Sequence, residues 1–184
     1  EISIPDTVTT VLPDAFCSCK SLTEIEIPDS VTNVGKYSFA GTPWYDKRLE
    51  ENGFIIVNGT LAAVDDSITE FQIPDNVTAI GEHAFSSCDI ADVTIPNSVK
   101  SIGFESFFNC TSLKNITIPE GVTTIDDCAF IYCDNLASVE IPSSVTHIGN
   151  SVFFGYNENP IIKTPAGSYA EQYAKEHELT VENY

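Results

Sequence analysis

The side chains with the most chemical potential in this sequence are its cysteines and histidines, six and three in number. A structural zinc site needs paired spacings such as Cys-x-x-Cys or His-x-x-x-His. The spacing most similar to these is Cys17-x-Cys19, which is one residue too short. His83, His147 and His177 lie on three different segments. The sequence therefore predicts no metal site and no cofactor. We expect solvated histidines.

Neither nucleophilic nor carboxylate catalysis has a motif here. Acyl transfer needs a nucleophile with a positioned base and an oxyanion hole, and no nucleophile-elbow sequence occurs. The paired carboxylates of a glycoside hydrolase are partners in space rather than in sequence. The 27 acidic residues therefore leave a carboxylate-dependent hydrolase open as the least favoured alternative. We expect a protein that is not an enzyme and has no catalytic residues.

Net charge restricts the kinds of partner. The chain carries 27 acidic against 8 basic residues, a formal net charge of -19. Such a charge repels nucleic-acid phosphates and anionic membranes. No apolar run approaches the roughly 20 residues that a membrane-spanning helix needs. The sequence predicts no nucleic-acid binding and no direct membrane insertion, and it favours a protein partner.

The elements that must position any binding residue are repeats of about 23 residues. An Ile-Pro pair recurs along the chain, and a phenylalanine follows each isoleucine twelve residues later. The isoleucines are Ile4, Ile27, Ile73, Ile95, Ile118 and Ile141. The step from Ile27 to Ile73 is 46 residues, twice 23, so one unit between them has diverged. One unit cannot bury its own aliphatic face, so stacked units must share a continuous core.

Each regular unit opens with a strand. Residues 22–28 read Leu-x-x-Ile-x-Ile-Pro, and the alternation of Ile25 and Ile27 is the period of a strand with one buried face. Proline then turns the chain, and a glycine in four of the units permits a second bend. The pattern predicts a β-rich solenoid of stacked parallel strands with short helical turns.

Residues 43–72 replace one unit. Asn58-Gly59 stands between two apolar runs, and both residues accept the positive φ of a type I′ turn. We expect an inserted β-hairpin that projects from the solenoid. Trp44, the only tryptophan, precedes it. Two roles stay open for Trp44: packing the hairpin onto the solenoid, or contacting a ligand.

The C-terminal segment, residues 161–184, breaks the repeat as well. Ser168 and Glu171 have the spacing of a capping box, and an apolar stripe follows to about His177. A helical cap here would cover the core of the last layer. We therefore expect one domain over 1–184. Its parts are repeats in 1–42, a degenerate repeat with the hairpin in 43–72, repeats in 73–160 and a cap in 161–184.

The repeat resembles the leucine-rich repeats of BspA-type bacterial surface proteins. The shared pattern is Ile-Pro, then Val-x-x-Ile-Gly, then Ala-Phe and then Cys, and it covers about residues 1 to 160. The resemblance implies a leucine-rich-repeat solenoid that is extracellular or at the cell surface, with a role in adhesion to host or extracellular-matrix proteins. Because the sequence begins in the middle of a repeat, we expect a longer parent protein.

Four cysteines share one repeat position, fifteen residues after the isoleucine. They are Cys19, Cys88, Cys110 and Cys133, with Thr42 and Tyr156 in the same place elsewhere. A shared position indicates a shared structural role, that of a small buried apolar side chain. Cys17 and Cys128 fall outside this register, and a disulfide with a neighbour is left open for both.

The candidate protein-binding face is formed by the strand positions that flank the inward-facing isoleucine of each unit, because these must point away from the core. The residues are Glu24, Glu26, Glu70, Gln72, Asp92, Thr94, Asn115, Thr117, Ser138 and Glu140, with Glu1 and Ser3 in the first unit. These residues form two rows along the stack, one on each side of the inward-facing isoleucine. The rows are acidic toward the N-terminus and contain no lysine or arginine. A basic or hydrogen-bonding partner would suit them. Two functions remain: an interaction and adhesion module, or a passive stalk that displays another domain.

Overall fold

The computed structural model describes residues 2–155, 157 and 159–184. Glu1 and Tyr156, to which the repeat pattern assigns a place, lie outside the described residues. The strands in chain order are β1 (Ile2–Ser3), β2 (Thr10–Val11), β3 (Ile25–Glu26), β4 (Asn33–Val34), β5 (Phe54–Val57), β6 (Thr60–Val64), β7 (Glu70–Gln72), β8 (Ala79–Ile80), β9 (Asp92–Thr94), β10 (Ser101–Ile102), β11 (Asn115–Thr117), β12 (Thr124–Ile125), β13 (Ser138–Glu140), β14 (His147–Ile148), β15 (Ile161–Thr164) and β16 (Val181–Asn183). The helices are α1 (Pro43–Asn52) and α2 (Tyr169–Glu176).

Each regular unit contributes two short strands, and most of these pair in parallel with the same positions of the next unit. Ile102 pairs with Ile125, for example, and Val139 with Ile162. The first strands of the units form the sheets β1–β3, β7–β9 and β11–β13–β15–β16. The second strands form β2–β4 and the six-stranded sheet β14–β12–β10–β8–β6–β5. We call these the first-strand and second-strand sheets.

A ladder of phenylalanine rings runs through the core, one ring per layer. The ring of Phe107 stacks on Phe85 at a centroid distance of 4.7 Å and on Phe130 at 4.9 Å. On the N-terminal side of the diverged unit the ladder ends at Trp44, whose ring lies 4.9 Å from that of Phe39. Apolar burial and ring stacking therefore hold successive units together on each side of the diverged unit.

The repeated glycine is required because neighbouring units approach closely. A Cβ on Gly81 would lie 2.7 Å from the carbonyl oxygen of Leu61, and one on Gly103 would lie 2.8 Å from that of Ile80. Left-handed backbone occurs two residues later instead, for example at His83, where φ is 56°. The glycine thus serves inter-unit packing, while a non-glycine residue makes the left-handed turn.

Helix α1 replaces a strand in the diverged unit. One repeat length on from Ile27 falls on Glu50, which lies inside α1. The helix begins after Thr42, whose hydroxyl oxygen accepts a hydrogen bond from the N–H of Tyr45 at 3.1 Å, and Pro43 suits the first turn. The repeat pattern gave no indication of this helix.

The predicted hairpin is present as β5 and β6, and Asn58 and Gly59 have the positive φ values of its turn, 46° and 82°. The prediction that it projects from the solenoid is wrong. Strand β6 pairs in parallel with β8 and so supplies the second strand of its unit. The Asn58 side chain holds the turn down by donating to the carbonyl oxygens of Pro28 at 2.7 Å and Val31 at 2.9 Å.

The hairpin divides the buried core into two clusters. Ile55 and Val57 pack with the N-terminal units and Trp44, whereas Leu61 and Val64 pack with the units that follow. Each face of the hairpin therefore covers one cluster. Because both faces are apolar, this segment belongs to the stack and is not an appendage.

The C-terminal cap has the predicted form. The hydroxyl oxygen of Ser168 accepts a hydrogen bond from the N–H of Glu171 at 3.1 Å, and the Glu171 carboxylate accepts one from the N–H of Gly167 at 2.6 Å. Helix α2 buries Ala170, Tyr173 and Ala174 against the last layer. Strand β16 adds to the edge of β15.

Candidate protein-binding surfaces

The ten residues of the predicted face lie on the outward side of the first-strand sheets. Eight of them are exposed, and Ser138 and Glu140 are half-buried. Their backbone positions follow from the strand period, because the residues between them, such as Ile25, Val93 and Ile116, are buried. A partner approaching this side would meet polar side chains on every regular unit.

Helix α1 interrupts this face. Glu24 and Glu26 belong to the sheet β1–β3, which shares no hydrogen bond with the sheet β7–β9 that carries Glu70 and Gln72. Both rows of the predicted face, one through Glu24 and Glu70 and the other through Glu26 and Gln72, are therefore interrupted at the diverged unit. Repeat spacing alone predicted two uninterrupted rows.

A shallow groove of about 360 Å³ lies on the face between β9 and β11. Asp92 and Thr94 line one side, and Asn115 and Thr117 line the other. No backbone hydrogen bond joins these two strands in the part of the chain that the structure describes. The structure thus brings four of the ten predicted residues together around one concave surface.

The row that contains Thr117 and Glu140 continues onto the cap. Thr117 pairs with Glu140, Glu140 with Lys163, and Lys163 with Glu182. A lysine therefore stands between two carboxylates on the face that the repeat pattern describes as free of lysine. The signal that would have found it is the apolar run Ile161-Ile162, which continues the strand register without an Ile-Pro pair.

Trp44 lies beside a second groove, where β3 faces the diverged unit. The groove has a volume of about 440 Å³ and is lined by β5, Trp44, Arg48 and Ile27, among others. Trp44 is only 6% exposed, and the guanidinium of Arg48 lies 4.6 Å from the centre of its ring. The indole Nε1 is buried and has no hydrogen-bond partner among the described residues. The structure gives Trp44 a packing position at the wall of a groove.

A third cleft, of about 430 Å³, opens on the side of the turns, between the unit that contains Tyr37 and the unit that contains His83. Tyr37, Tyr45 and His83 line it together with Asp65 and Asp66. Burial raises the pKa of the Tyr45 hydroxyl to about 12. The cleft exists because the hairpin lacks the Ala-Phe turn that fills this space in a regular unit.

His83 is buried, so the expectation of a solvated histidine is wrong here. Its side chain is 4% exposed and packs against the rings of Tyr37 and Phe104. Burial, and secondly the charge of Lys36, lowers the pKa of His83 to about 4. The Glu105 carboxylate lies 3.4 Å from Nε2 and would favour a charged ring, but burial outweighs it, so the imidazole is neutral at pH 7.

We expect the neutral His83 to make stability fall as the pH is lowered. Because its folded pKa lies below the ordinary value, the unfolded chain binds the proton first, and stability is lost between about pH 6.5 and pH 4. The loss is on the order of 2 kcal/mol. Denaturant midpoints at pH 7 and pH 4.5 measure it. His83→Asn, which tolerates positive φ, should lose less. Equal losses in the two proteins would contradict the prediction, and the exposed His147→Asn is the control.

The cysteines of the repeat form buried thiols. Cys110 and Cys133 donate to the carbonyl oxygens of Phe85 and Phe107, both at 3.0 Å. Burial raises the pKa of Cys88 to about 12. These three thiols are therefore inert packing groups, as predicted. Cys17 and Cys128 are free thiols. Cys19 is exposed, so the prediction of a buried role is wrong for this cysteine.

Neither a metal cluster nor a membrane-spanning helix is found. No group of three or more histidine, cysteine, aspartate or glutamate side chains suited to a metal ion occurs within residues 2–155, 157 and 159–184. Both helices in the described part of the chain are too short and too polar to cross a bilayer.

Stacked two-strand units with one phenylalanine per layer define the chain as a leucine-rich-repeat solenoid, and the predicted fold class is confirmed. The chain belongs to the BspA-type leucine-rich-repeat family. The family's repeat pattern matches residues 1–61 and 55–170, in six copies. This family and fold are typically those of repeat-built, non-enzymatic interaction modules.

Solved structures of bacterial proteins are similar to this chain. A leucine-rich cell surface protein from Faecalibacterium prausnitzii A2-165 is 24% identical, with a TM-score of 0.51; the match covers 94% of this chain and only 61% of that protein. The pneumococcal vaccine antigen PcpA is 11% identical over 100% of this chain and 68% of its own, with a TM-score of 0.52. A leucine-rich repeat protein from Bacteroides capillosus ATCC 29799 is 30% identical over 59% of this chain and 100% of its own, with a TM-score of 0.48. A comparison with curated proteins found no match.

Proposed function

We propose that this chain is an extracellular or cell-surface adhesion module that binds a protein partner through the outward face of its first-strand sheets. The observation that carries the proposal is the groove between β9 and β11, where Asp92, Thr94, Asn115 and Thr117 converge on an exposed, polar surface. Protein surfaces of this kind gain specificity from hydrogen bonding and from complementary charge.

Charge indicates the kind of partner. The N-terminal part of the face carries Glu24, Glu26 and Glu70, and none of these carboxylates has an ion-pair partner among the described residues. A basic patch on a host or extracellular-matrix protein would complement them. The location at the cell surface is supported by the family resemblance and by the description of the Faecalibacterium protein as a cell surface protein.

The test is a binding titration against a panel of extracellular-matrix and host-cell proteins at about 150 mM salt, which screens weak charge effects. We expect saturable binding to one of them. The triple variant Glu24→Lys, Glu26→Lys, Glu70→Lys should weaken that binding at least about tenfold, because three attractions become repulsions, and tenfold corresponds to about 1.4 kcal/mol.

A matched control separates the face from the overall charge. Asp6, Asp29 and Asp75 occupy one exposed repeat position just after the proline, off the strand face. Changing all three to lysine alters the net charge by the same amount and should weaken binding less than about threefold. Equal losses in the two triple variants would contradict a binding site on the face. An absence of binding across the whole panel would favour the passive stalk.

A further inference from the structure

One strand edge inside the solenoid has lost its neighbour. In regular units the isoleucine before proline donates its N–H to the next unit, as Ile4 does to Glu26 at 3.0 Å and Ile118 to Glu140 at 2.9 Å. Of the six isoleucines that precede a proline, Ile27 and Ile95 lack this bond within the described ranges. For Ile95 the next strand is nevertheless in place beside it, whereas for Ile27 that strand is absent because α1 replaces it.

The free main-chain groups of β3 can be assigned from its pairing with β1. The carbonyl oxygens of Glu24 and Glu26 accept from Ile2 and Ile4, so these residues direct their peptide groups toward β1. Successive residues of a strand alternate between its two edges. The N–H and C=O of Ile25 therefore point to the opposite edge, where no strand follows.

This edge borders the groove that contains Trp44. Ile25 and Ile27 form one side, and Phe54–Val57 of β5 forms the other. Strand β5 is the last strand of its sheet, so it too has an unpaired edge. A volume of about 440 Å³ falls within the usual range of about 300–1,000 Å³ for ligand sites. The unpaired edge of β3 along a groove is an arrangement that accepts an added strand.

Charge at the groove selects an acidic occupant. Arg48 is the only arginine in a chain with a net charge of -19, and its guanidinium lies over the Trp44 ring rather than in an ion pair within the described residues. A guanidinium on an aromatic face keeps its outer N–H groups available for the bidentate binding of a carboxylate.

We propose that this groove binds an extended segment of a partner protein, which adds as a strand beside β3 and places an acidic side chain against Arg48. The site is distinct from the outward face and goes beyond the function proposed for it. The main-chain groups of Ile25 and Ile27 supply strand hydrogen bonds, and Arg48 supplies the preference for an acidic residue.

Trp44 provides the measurement, because the only tryptophan lines the groove and its emission should respond to an occupant. The probe is a capped seven-residue peptide of alternating valine and threonine with a central glutamate. We expect a saturable change in emission below about 1 mM, which corresponds to roughly 4 kcal/mol of binding free energy. No saturable change up to that concentration would overturn the proposal.

Three further peptides test the mode of binding. One set carries N-methyl groups on alternate backbone amides, with one peptide for each edge of the strand. At least one of these should bind tenfold or more weakly, because the methyl group removes a strand hydrogen bond. A peptide with lysine in place of glutamate should also bind at least tenfold more weakly. Insensitivity to N-methylation would overturn strand addition.

Arg48→Gln is the matching protein variant, since the Arg48 side chain is exposed and its loss should leave the fold intact. It should bring the affinities of the glutamate and lysine peptides close to each other. Lys47→Gln removes one positive charge from the same helix, where Lys47 is 70% exposed, and should leave the preference unchanged. An equal effect of both variants would overturn the role of Arg48. Self-association that the peptide displaces would assign the groove to a second copy of this chain and overturn the proposal.

Discussion

Phe107→Ala is expected to lower the free energy of unfolding by about 3–5 kcal/mol. Phe107 is 0% exposed and stacks on both Phe85 and Phe130, so its removal leaves a cavity between two layers that the backbone ladders hold at a fixed spacing. The neighbouring rings cannot collapse into this space without breaking strand pairing. Denaturant unfolding of the variant and the parent protein measures the difference.

Phe154→Ala is the control for this variant. Phe154 follows the ladder residue of its own unit but is 57% exposed, and its ring lies 6.1 Å from that of Tyr132. Its replacement should cost less than about 1 kcal/mol, because little apolar surface returns to water. If the two variants lost similar stability, the stacked rings would not be the main contribution of these residues to the core.

The ladder is the part of the fold that the sequence predicts best. A phenylalanine at one position in six units favours a stack with one ring per layer, and five of the six are buried in the structure while Phe16 is partly buried. The same reasoning predicts the pairing of equivalent strand positions, such as Ile102 with Ile125. Repetition makes these predictions strong, because an error in one unit is corrected by the others.

The repeat pattern does not predict the structure of the diverged unit. Helix α1 has no repeated signal, and it forms because Trp44 and Leu49 find apolar partners in the N-terminal core cluster. Those partners depend on tertiary contacts that a single segment does not reveal. The hairpin turn was predictable from Asn58-Gly59, but its place in the sheet was not, since this depends on the pairing of Leu61 with Ile80.

For the surfaces, too, repeated positions could be predicted from the sequence and local contacts could not. Outward positions such as Thr94 and Thr117 could be predicted from strand alternation, whereas the groove between them depends on how two strands separate. His83 occupies a position that is half-buried in the next unit, at Glu105. It is buried because Tyr37 and Phe104 close over it, and equivalent positions elsewhere give no indication of such local contacts.

Ala174→Asp is the second change with a large expected effect. Ala174 is 0% exposed in α2 and packs against the last layer of the core. A carboxylate there would be buried without a partner, so either the charge is neutralised or the helix leaves its place. We expect a loss of at least about 3 kcal/mol, together with exposure of Phe153 and Ile162.

Two measurements separate undocking of the cap from simple destabilisation. Denaturant unfolding gives the free energy, and light scattering detects the self-association that follows when the apolar end of a solenoid is uncovered. Ala166→Asp makes the same chemical change at an exposed residue just before α2 and should cost less than about 0.5 kcal/mol. If Ala174→Asp self-associated no more than the parent protein and were as stable as Ala166→Asp, helix α2 would not be required to close the core. The expected result instead makes the last layer depend on the cap as strongly as each inner layer depends on its neighbours.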